Sequence, residues 1–238
     1  MKTLSADVPV GDIVARFPAS VRVFEKHGID FCCGGSVTVG DACHSRGLDA
    51  FALLREVEQA GEPAGADSTD WQSASLGDLI DHIVDTHHGY LKTELPRVQG
   101  MLEKVLRAHS ERHSDVLKPL AASFYPLQEE LDAHMMKEER ILFPMIRGLE
   151  TGQPGHFPFR GAIESPIHVM MHEHDSAGRS LEAMREVTSN YTPPADACNT
   201  YRALYQALDE LERDLHLHIH LENNILFPRA TNLEAANA

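Results

Sequence analysis

The chain uses one stretch twice. His134-Met-Met-Lys-Glu138-Glu-Arg-Ile-Leu-Phe-Pro144 and His218-Ile-His-Leu-Glu222-Asn-Asn-Ile-Leu-Phe-Pro228 share the pattern His-x3-Glu-x2-Ile-Leu-Phe-Pro. A repeat of this kind constrains the fold before any local propensity does. Residues i and i+4 share one helix face about 6 Å apart. Each copy therefore predicts a helix that presents His and Glu together, a pair suited to metal ligation. The Ile-Leu-Phe-Pro run behind the pair is expected to pack the core and to end the helix.

From Trp71 onward four long helical patterns cover residues 76–109, 116–149, 162–189 and 197–229. His113-Ser114, Thr151-Gly-Gln-Pro-Gly and Tyr191-Thr-Pro-Pro-Ala-Asp punctuate them. No stretch alternates apolar and polar residues long enough to argue for a sheet. In the second pattern Phe124, Leu127, Leu131, His134, Glu138, Ile141 and Met145 step by threes and fours. Leu204, Leu208, Leu211, Leu215, His218, Glu222 and Ile225 do so in the fourth. The third carries Ile163, Ile167, Met170, His174, Ala177, Leu181 and Met184, and the first Val84, His88, Leu91, Leu95, Val98, Leu102 and Val105. Such stepping marks the inward seams of an all-α helix bundle.

The seams sort the 15 histidines. His88, His134, His174 and His218 occupy slots that otherwise hold apolar residues, whereas His82, His109, His113, His168, His172, His216 and His220 fall outside them. His87 stands three residues after Val84 and four before Leu91, and competes with His88 for one slot; the downstream alternation favours His88. In an up-down-up-down bundle the four seam histidines lie within a turn of one level, roughly 20 Å from one end. The halves match in spacing: 86 residues separate His88 from His174, and 84 separate His134 from His218.

Four imidazoles and two glutamates thus converge on one interior. Buried carboxylates cost several kcal/mol each unless compensated, and no seam Lys or Arg is available to Glu138 and Glu222. Metal ions supply the missing charge. Two fit better than one: with both glutamates bridging, each ion receives two imidazoles and two carboxylate oxygens, and room remains for an oxo or hydroxo bridge and an external ligand. Nitrogen and oxygen donors with open positions suit iron, and also accept manganese or zinc.

Residues 1 to about 66 differ from the rest. Short amphipathic helices are expected at Val10-Gly-Asp-Ile-Val-Ala-Arg-Phe, Ala19-Ser-Val-Arg-Val-Phe-Glu-Lys-His and residues 48–59, followed by a linker at Glu62-Pro-Ala-Gly-Ala-Asp-Ser-Thr. Between the helices lies Phe31-Cys32-Cys33-Gly34-Gly35. Adjacent cysteines bridge each other only with strain, and the glycines predict a turn that exposes both thiols. Cys32 and Cys33 are candidates for thiol redox or for iron or nitric oxide transfer; Cys43 and Cys198 are expected to be structural.

Acidic residues outnumber basic ones, 36 to 21, for a formal net charge of −15. That balance argues against a nucleic-acid partner, which needs clustered Lys and Arg. No run approaches the ~18 apolar residues of a membrane span, and the N-terminus lacks the apolar core of a signal peptide. Four cysteines make no disulfide framework in a chain of this size. A cytoplasmic protein, monomeric or homodimeric, is expected.

Together these motifs carry a resemblance. Asp30-Phe-Cys-Cys-Gly-Gly, Asp81-His-Ile, His134-Met-Met-Lys-Glu-Glu, Glu173-His-Asp-x-Ala-Gly and Leu221-Glu-Asn-Asn-x-Leu-Phe-Pro are similar to the di-iron iron–sulfur cluster repair family, Repair of Iron Centres. The likeness covers nearly the whole chain. It implies a hemerythrin-like up-down-up-down four-helix bundle over residues 67–238, preceded by a small helical Cys-Cys domain over 1–66. It implies an oxo- and carboxylate-bridged non-haem centre of two irons, with His88, His134, Glu138, His174, His218 and Glu222 as ligands, and so selects His88 over His87. Oxygen-carrying hemerythrins use five histidines, and this set departs from theirs. The function implied is repair of damaged iron–sulfur proteins under nitrosative or oxidative stress, by iron donation or by chemistry at the irons. Binding of nitric oxide or dioxygen without repair, and enzymatic reduction of nitric oxide, stand as alternatives. Glu130, one turn before His134, and Glu173, beside His174, are placed by the resemblance along an access path to the irons.

Overall fold

A computed structural model describes residues 4–60, 69–152 and 162–237. Among them there are helices and turns, one isolated β-bridge from Pro9 to Thr38, and no strand. The boundary expected at residue 66 and most of the expected linker lie outside the described residues.

Four short helices come first: α1 (Val10–Arg16), α2 (Ser20–Lys26), α3 (Val39–Arg46) and α4 (Ala50–Gln59). The Thr38 and Asp49 side chains accept backbone N–H groups at the starts of α3 and α4, which satisfies donors a helix leaves free. Their apolar faces close over Ile13, Phe24, Phe31, Val39 and Leu53. Ile219 of the bundle completes that core.

The bundle begins with α5 (Leu76–His82), capped by Ser75. A wide π-turn (Ile83–His88) joins it to α6 (Gly89–Lys137), a run that reverses direction at His113, where φ is −124° and ψ 31°. The two arms then lie side by side, so that Glu139 meets both His88 and Lys92. The expected break near residue 113 is present, but His113 alone in this run leaves helical dihedrals. A second π-turn (Glu138–Leu142) leads into α7 (Phe143–Thr151). Next comes α8 (Glu164–Val187), then α9 (Asn199–Leu221), a third π-turn (Glu222–Leu226) and α10 (Phe227–Ala236).

The π-turns correct two expectations. Pro144 and Pro228 do not end their helices; each sits in the first turn of a helix that continues, to Thr151 and to Ala236. A proline lacks the N–H for the carbonyl four residues back and its ring crowds that carbonyl. The widened turn just upstream relieves both conflicts. A π-turn also holds one residue more than an α-turn, so the inward seam shifts by one across it. Ile141, expected inside, is 54 % exposed, while Leu142 and Ile146 are buried in place of Ile141 and Met145. In the first helix Ile83 takes the place expected of Val84.

The bundle core is divided. One apolar cluster runs from Leu91, Leu131, Ala177 and Leu215 toward the His113 turn. Another gathers Ile83, Leu142, Met170 and Ile225 toward the opposite end. On every helix the seam histidine falls between the two, so a single polar layer separates them.

Candidate metal centre

His88 closes the first π-turn, while Glu138 and Glu222 open the second and third. His134, His174 and His218 project from α6, α8 and α9. All six side chains are buried, Glu138 and Glu222 completely. Two groups form: His88, Glu138, His218 and Glu222, and His134, Glu138, His174 and Glu222. Within each, one ligand atom per residue lies inside 4.8 Å of the others.

The imidazoles face each other in pairs. Nε2 of His88 lies 3.2 Å from Nε2 of His218, and Nε2 of His134 lies 3.0 Å from Nε2 of His174. The carboxylates reach across the pairs. Glu138 Oε2 stands 3.4 Å from His88 Nε2 and 3.3 Å from His134 Nε2. Glu222 puts Oε1 3.1 Å from His218 Nε2 and Oε2 3.0 Å from His174 Nε2. Among the described residues, neither oxygen of either glutamate has a hydrogen-bond partner. Four orphaned carboxylate oxygens beside paired imidazole nitrogens are a poor hydrogen-bonded network and a good cation site. The donor set is nitrogen and oxygen only, which fits iron.

Electrostatics agree. Burial and the Glu222 charge oppose ionisation of Glu138, but the imidazoles of His134 and His88 hold it below the usual carboxylate range. Glu222 likewise overcomes burial through His218 and His174. Burial works against charge on His134, yet Glu138 raises it to about 9. His88 is raised in the same way, its burial outweighed chiefly by Glu138.

Outside the six, each of three imidazoles has its Nδ1 engaged. Glu139 meets His88 Nδ1 at 2.8 Å, Glu173 meets His134 Nδ1 at 2.9 Å, and Asn223 Oδ1 meets His174 Nδ1 at 2.8 Å. Lys92 and Lys137 in turn donate to Glu139 and Glu173. Burial opposes their ionisation, but these lysines with His88 and His134 hold both carboxyls below their usual range. Partners of this kind fix ring orientation and raise imidazole basicity. His218 Nδ1 has no partner among the described residues.

Comparison with known proteins places the chain. Residues 79–230 match the hemerythrin HHE cation-binding domain, and residues 6–61 match an N-terminal domain of unknown function, ScdA_N. The iron-sulfur cluster repair protein YtfE of Enterobacter sp. (strain 638) is 42 % identical over 225 residues, 94 % of this chain and 96 % of its own. That of Musicola paradisiaca is 43 % identical over 95 % of this chain and 97 % of its own. That of Escherichia coli O81 is 41 % identical over 94 % and 96 %. The chain belongs to the iron–sulfur cluster repair family. Its hemerythrin-like bundle carries the buried His/Glu groups, and no described helix is long and apolar enough to cross a membrane.

The remaining residues singled out from sequence in this family member are placed as follows. Glu173 reaches His134 and Lys137, whereas Glu130 is exposed and accepts a hydrogen bond from Ser176 at 3.2 Å. The thiols are less open than expected. Cys32 is buried, and Cys33 is half-buried with Sγ 3.7 Å from the backbone oxygen of His174. Asp30 folds the turn inward by accepting the N–H groups of Cys32, Cys33 and Gly34 at 2.9, 3.0 and 2.8 Å. Asn224 draws it onto the bundle, donating to the Phe31 and Cys32 carbonyls at 3.2 and 3.0 Å. Cys43 is buried, and Cys198 is exposed with Sγ 3.2 Å from His109.

Glu139, Asn223 and Asn224 were not singled out from the sequence, and His87 and His220, set aside there, are both buried. His87 is buried with Nδ1 2.9 Å from Asp214. His220 is buried against the Phe31 loop, and desolvation lowers its pKa to about 4. One signal was available: Glu139 and Asn223 both directly follow the repeat glutamate, and both engage an imidazole from another helix.

Proposed function

We propose that the polar layer holds two iron ions and that the chain helps restore damaged iron–sulfur clusters in the cytoplasm during nitrosative or oxidative stress. His88 and His218 would hold one ion, His134 and His174 the other, with Glu138 and Glu222 bridging. The observation that carries this reading is the sharing of both glutamates between two four-ligand groups. Bound there, the irons supply reversible redox chemistry and open positions for small ligands, or serve as cargo. The chain's own part is electrostatic and positional. Glu138 and Glu222 offset the ions' charge in a site without water-facing atoms, while Glu139, Glu173 and Asn223 aim the imidazoles. Glu173, through Lys137 at the surface, links the layer to solvent and fits an access-path role. Glu130 has a weaker claim, being exposed. Cys33 lies against the backbone of His174, with Cys32 Sγ 3.8 Å from its sulfur, which supports a thiol role for the pair in redox or in iron or nitric oxide transfer. The relatives' name supports the repair reading.

A decisive assay incubates the iron-loaded protein with a cluster enzyme inactivated by nitric oxide. Recovery beyond that given by equimolar free ferrous iron is the expected result. Recovery no better than free iron would leave nitric oxide binding or reduction by the same centre as the better reading.

A further inference from the structure

We propose that the cleft between the N-terminal helices and α8–α9 binds a small zwitterionic peptide disulfide and presents it to Cys33 for thiol–disulfide exchange. This deepens the thiol role given above to Cys33. Its test reads sulfur rather than metal, so its failure leaves the metal reading standing.

The cleft has a volume of about 1110 Å³ and is walled by the Ile29–Cys33 loop on one side and by α8 and α9 on the other. Pockets of ~300–1,000 Å³ already accommodate molecules of several hundred daltons. Two thiols line it, and they are not equivalent. Cys32 is 5 % exposed, with Sγ 3.8 Å from Cys33 and 3.3 Å from Asp30. The neighbouring thiol, burial and the Asp30 charge together keep it protonated. Cys33 is half-buried and faces α8 at Gly178, where even a Cβ would stand 3.7 Å from its sulfur. On that side the sulfur packs against the α8 backbone, and its remaining face lines the cleft.

Charge identifies the ligand class. Several cations of the cleft are already spent: Lys26 on Glu56, and Arg185 and Arg213 on Asp209. Arg22, Arg46 and Arg179 also line it, and among the described residues they have no acidic partner. Arg46 is set into the wall by Gly28, whose φ of +64° favours glycine and where a Cβ would come 3.2 Å from the guanidinium. Asp175 and Glu182 stand on the α8 wall likewise without a basic partner. A cleft offering guanidinium and carboxylate groups around one accessible thiol matches a sulfur compound that carries carboxylates and an ammonium group. In the exchange the Cys33 thiolate attacks one sulfur of the ligand disulfide. That S–S bond breaks, a Cys33–ligand disulfide forms, and the released half leaves as a thiol, taking the proton Cys33 gave up. The Cys33 sulfur rises one oxidation level and the leaving sulfur falls one, so no further oxidant is needed.

Exposed Cys198 is a built-in control in the same molecule. The metal-loaded full chain is treated with glutathione disulfide or with neutral bis(2-hydroxyethyl) disulfide, and adduct formation is followed by peptide mass mapping. Cys33 is expected to favour the charged over the neutral disulfide about fivefold more than Cys198 does, the size of effect two or three half-exposed ion pairs give. Replacing Arg22→Ala, Arg46→Ala and Arg179→Ala together should bring the Cys33 ratio down to that of Cys198, with iron content unchanged; a ratio left as in the unmodified protein would overturn the proposal. Equal ratios at the two cysteines in the unmodified protein, or modification of Cys198 alone, would overturn the proposal.

Discussion

In the metal-free chain His134 keeps its proton up to about pH 9, because the Glu138 carboxylate overrides the burial that works against the charge. An incoming ion must displace that proton. Metal affinity should therefore fall as pH drops below about 9, by about tenfold per pH unit for each proton displaced. Anaerobic ferrous titrations at several pH values check this, and an affinity flat from about pH 6 to about pH 9 would contradict it. Glu138 and Glu222 make the complementary case. Either one changed to Leu removes a carboxylate from both four-ligand groups at once, so the content of about two irons per chain expected under the proposed function should fall to well below one. Helical circular dichroism should persist; unchanged iron content would show that the altered residue is no ligand.

The elements explain what the sequence made legible and what it concealed. Apolar residues recurring every three or four positions located the helices and singled out one polar level, because that period is a property of the α-helix itself. At the first two π-turns the period fails, and the assignments fail with it, Val84 for Ile83 and Ile141 for Leu142, whereas Ile225 at the third is buried as expected. The same extra residue explains why His87 competed with His88 for one slot before the downstream alternation favoured His88, since both are buried. His220 lies off the bundle seam because α9 has a second buried face, covered by the Phe31 loop, and a one-face pattern cannot reveal it. That face also carries a close approach between the N-terminal helices and the bundle at Gly35. A Cβ at Gly35 would fall 2.3 Å from Asn224 Oδ1 and 2.7 Å from the Phe31 carbonyl. Gly35→Ala should cost about 1–3 kcal/mol, the usual penalty for overpacking, read by chemical denaturation. Asn224→Ala in the same background should relieve only part of it, because the Phe31 carbonyl remains.

For the whole molecule, the proposed ions in the polar layer between two apolar clusters would tie folding to metal. Removing the ions leaves two buried carboxylates to be balanced by protons alone, so chelation should lower stability. A ligand at a hundredfold excess over its Kd contributes about 2.7 kcal/mol, and the loss should be of that order or larger. Thermal melts with and without chelator measure it, and the difference should vanish in Glu138→Leu. Domain organisation was the least accessible part from sequence. Composition marked the first 60 or so residues as distinct, yet could not foresee that Ile219 and Asn224 of the bundle would complete their core and hold the cysteine loop.

The two halves of the bundle are near copies, and the copying breaks at one place. Glu139 and Asn223 hold corresponding positions and do corresponding work on His88 and His174. Glu173 anchors His134, but its counterpart His87 turns to Asp214 and merely stacks on His218, ring centres 5.6 Å apart and 6° from parallel. One seat thus has both imidazoles tethered and the other only one. If each seat holds an ion as proposed, the two should not empty together: a chelator should draw off the cation at the half-tethered seat first, and release in a single kinetic phase would contradict this.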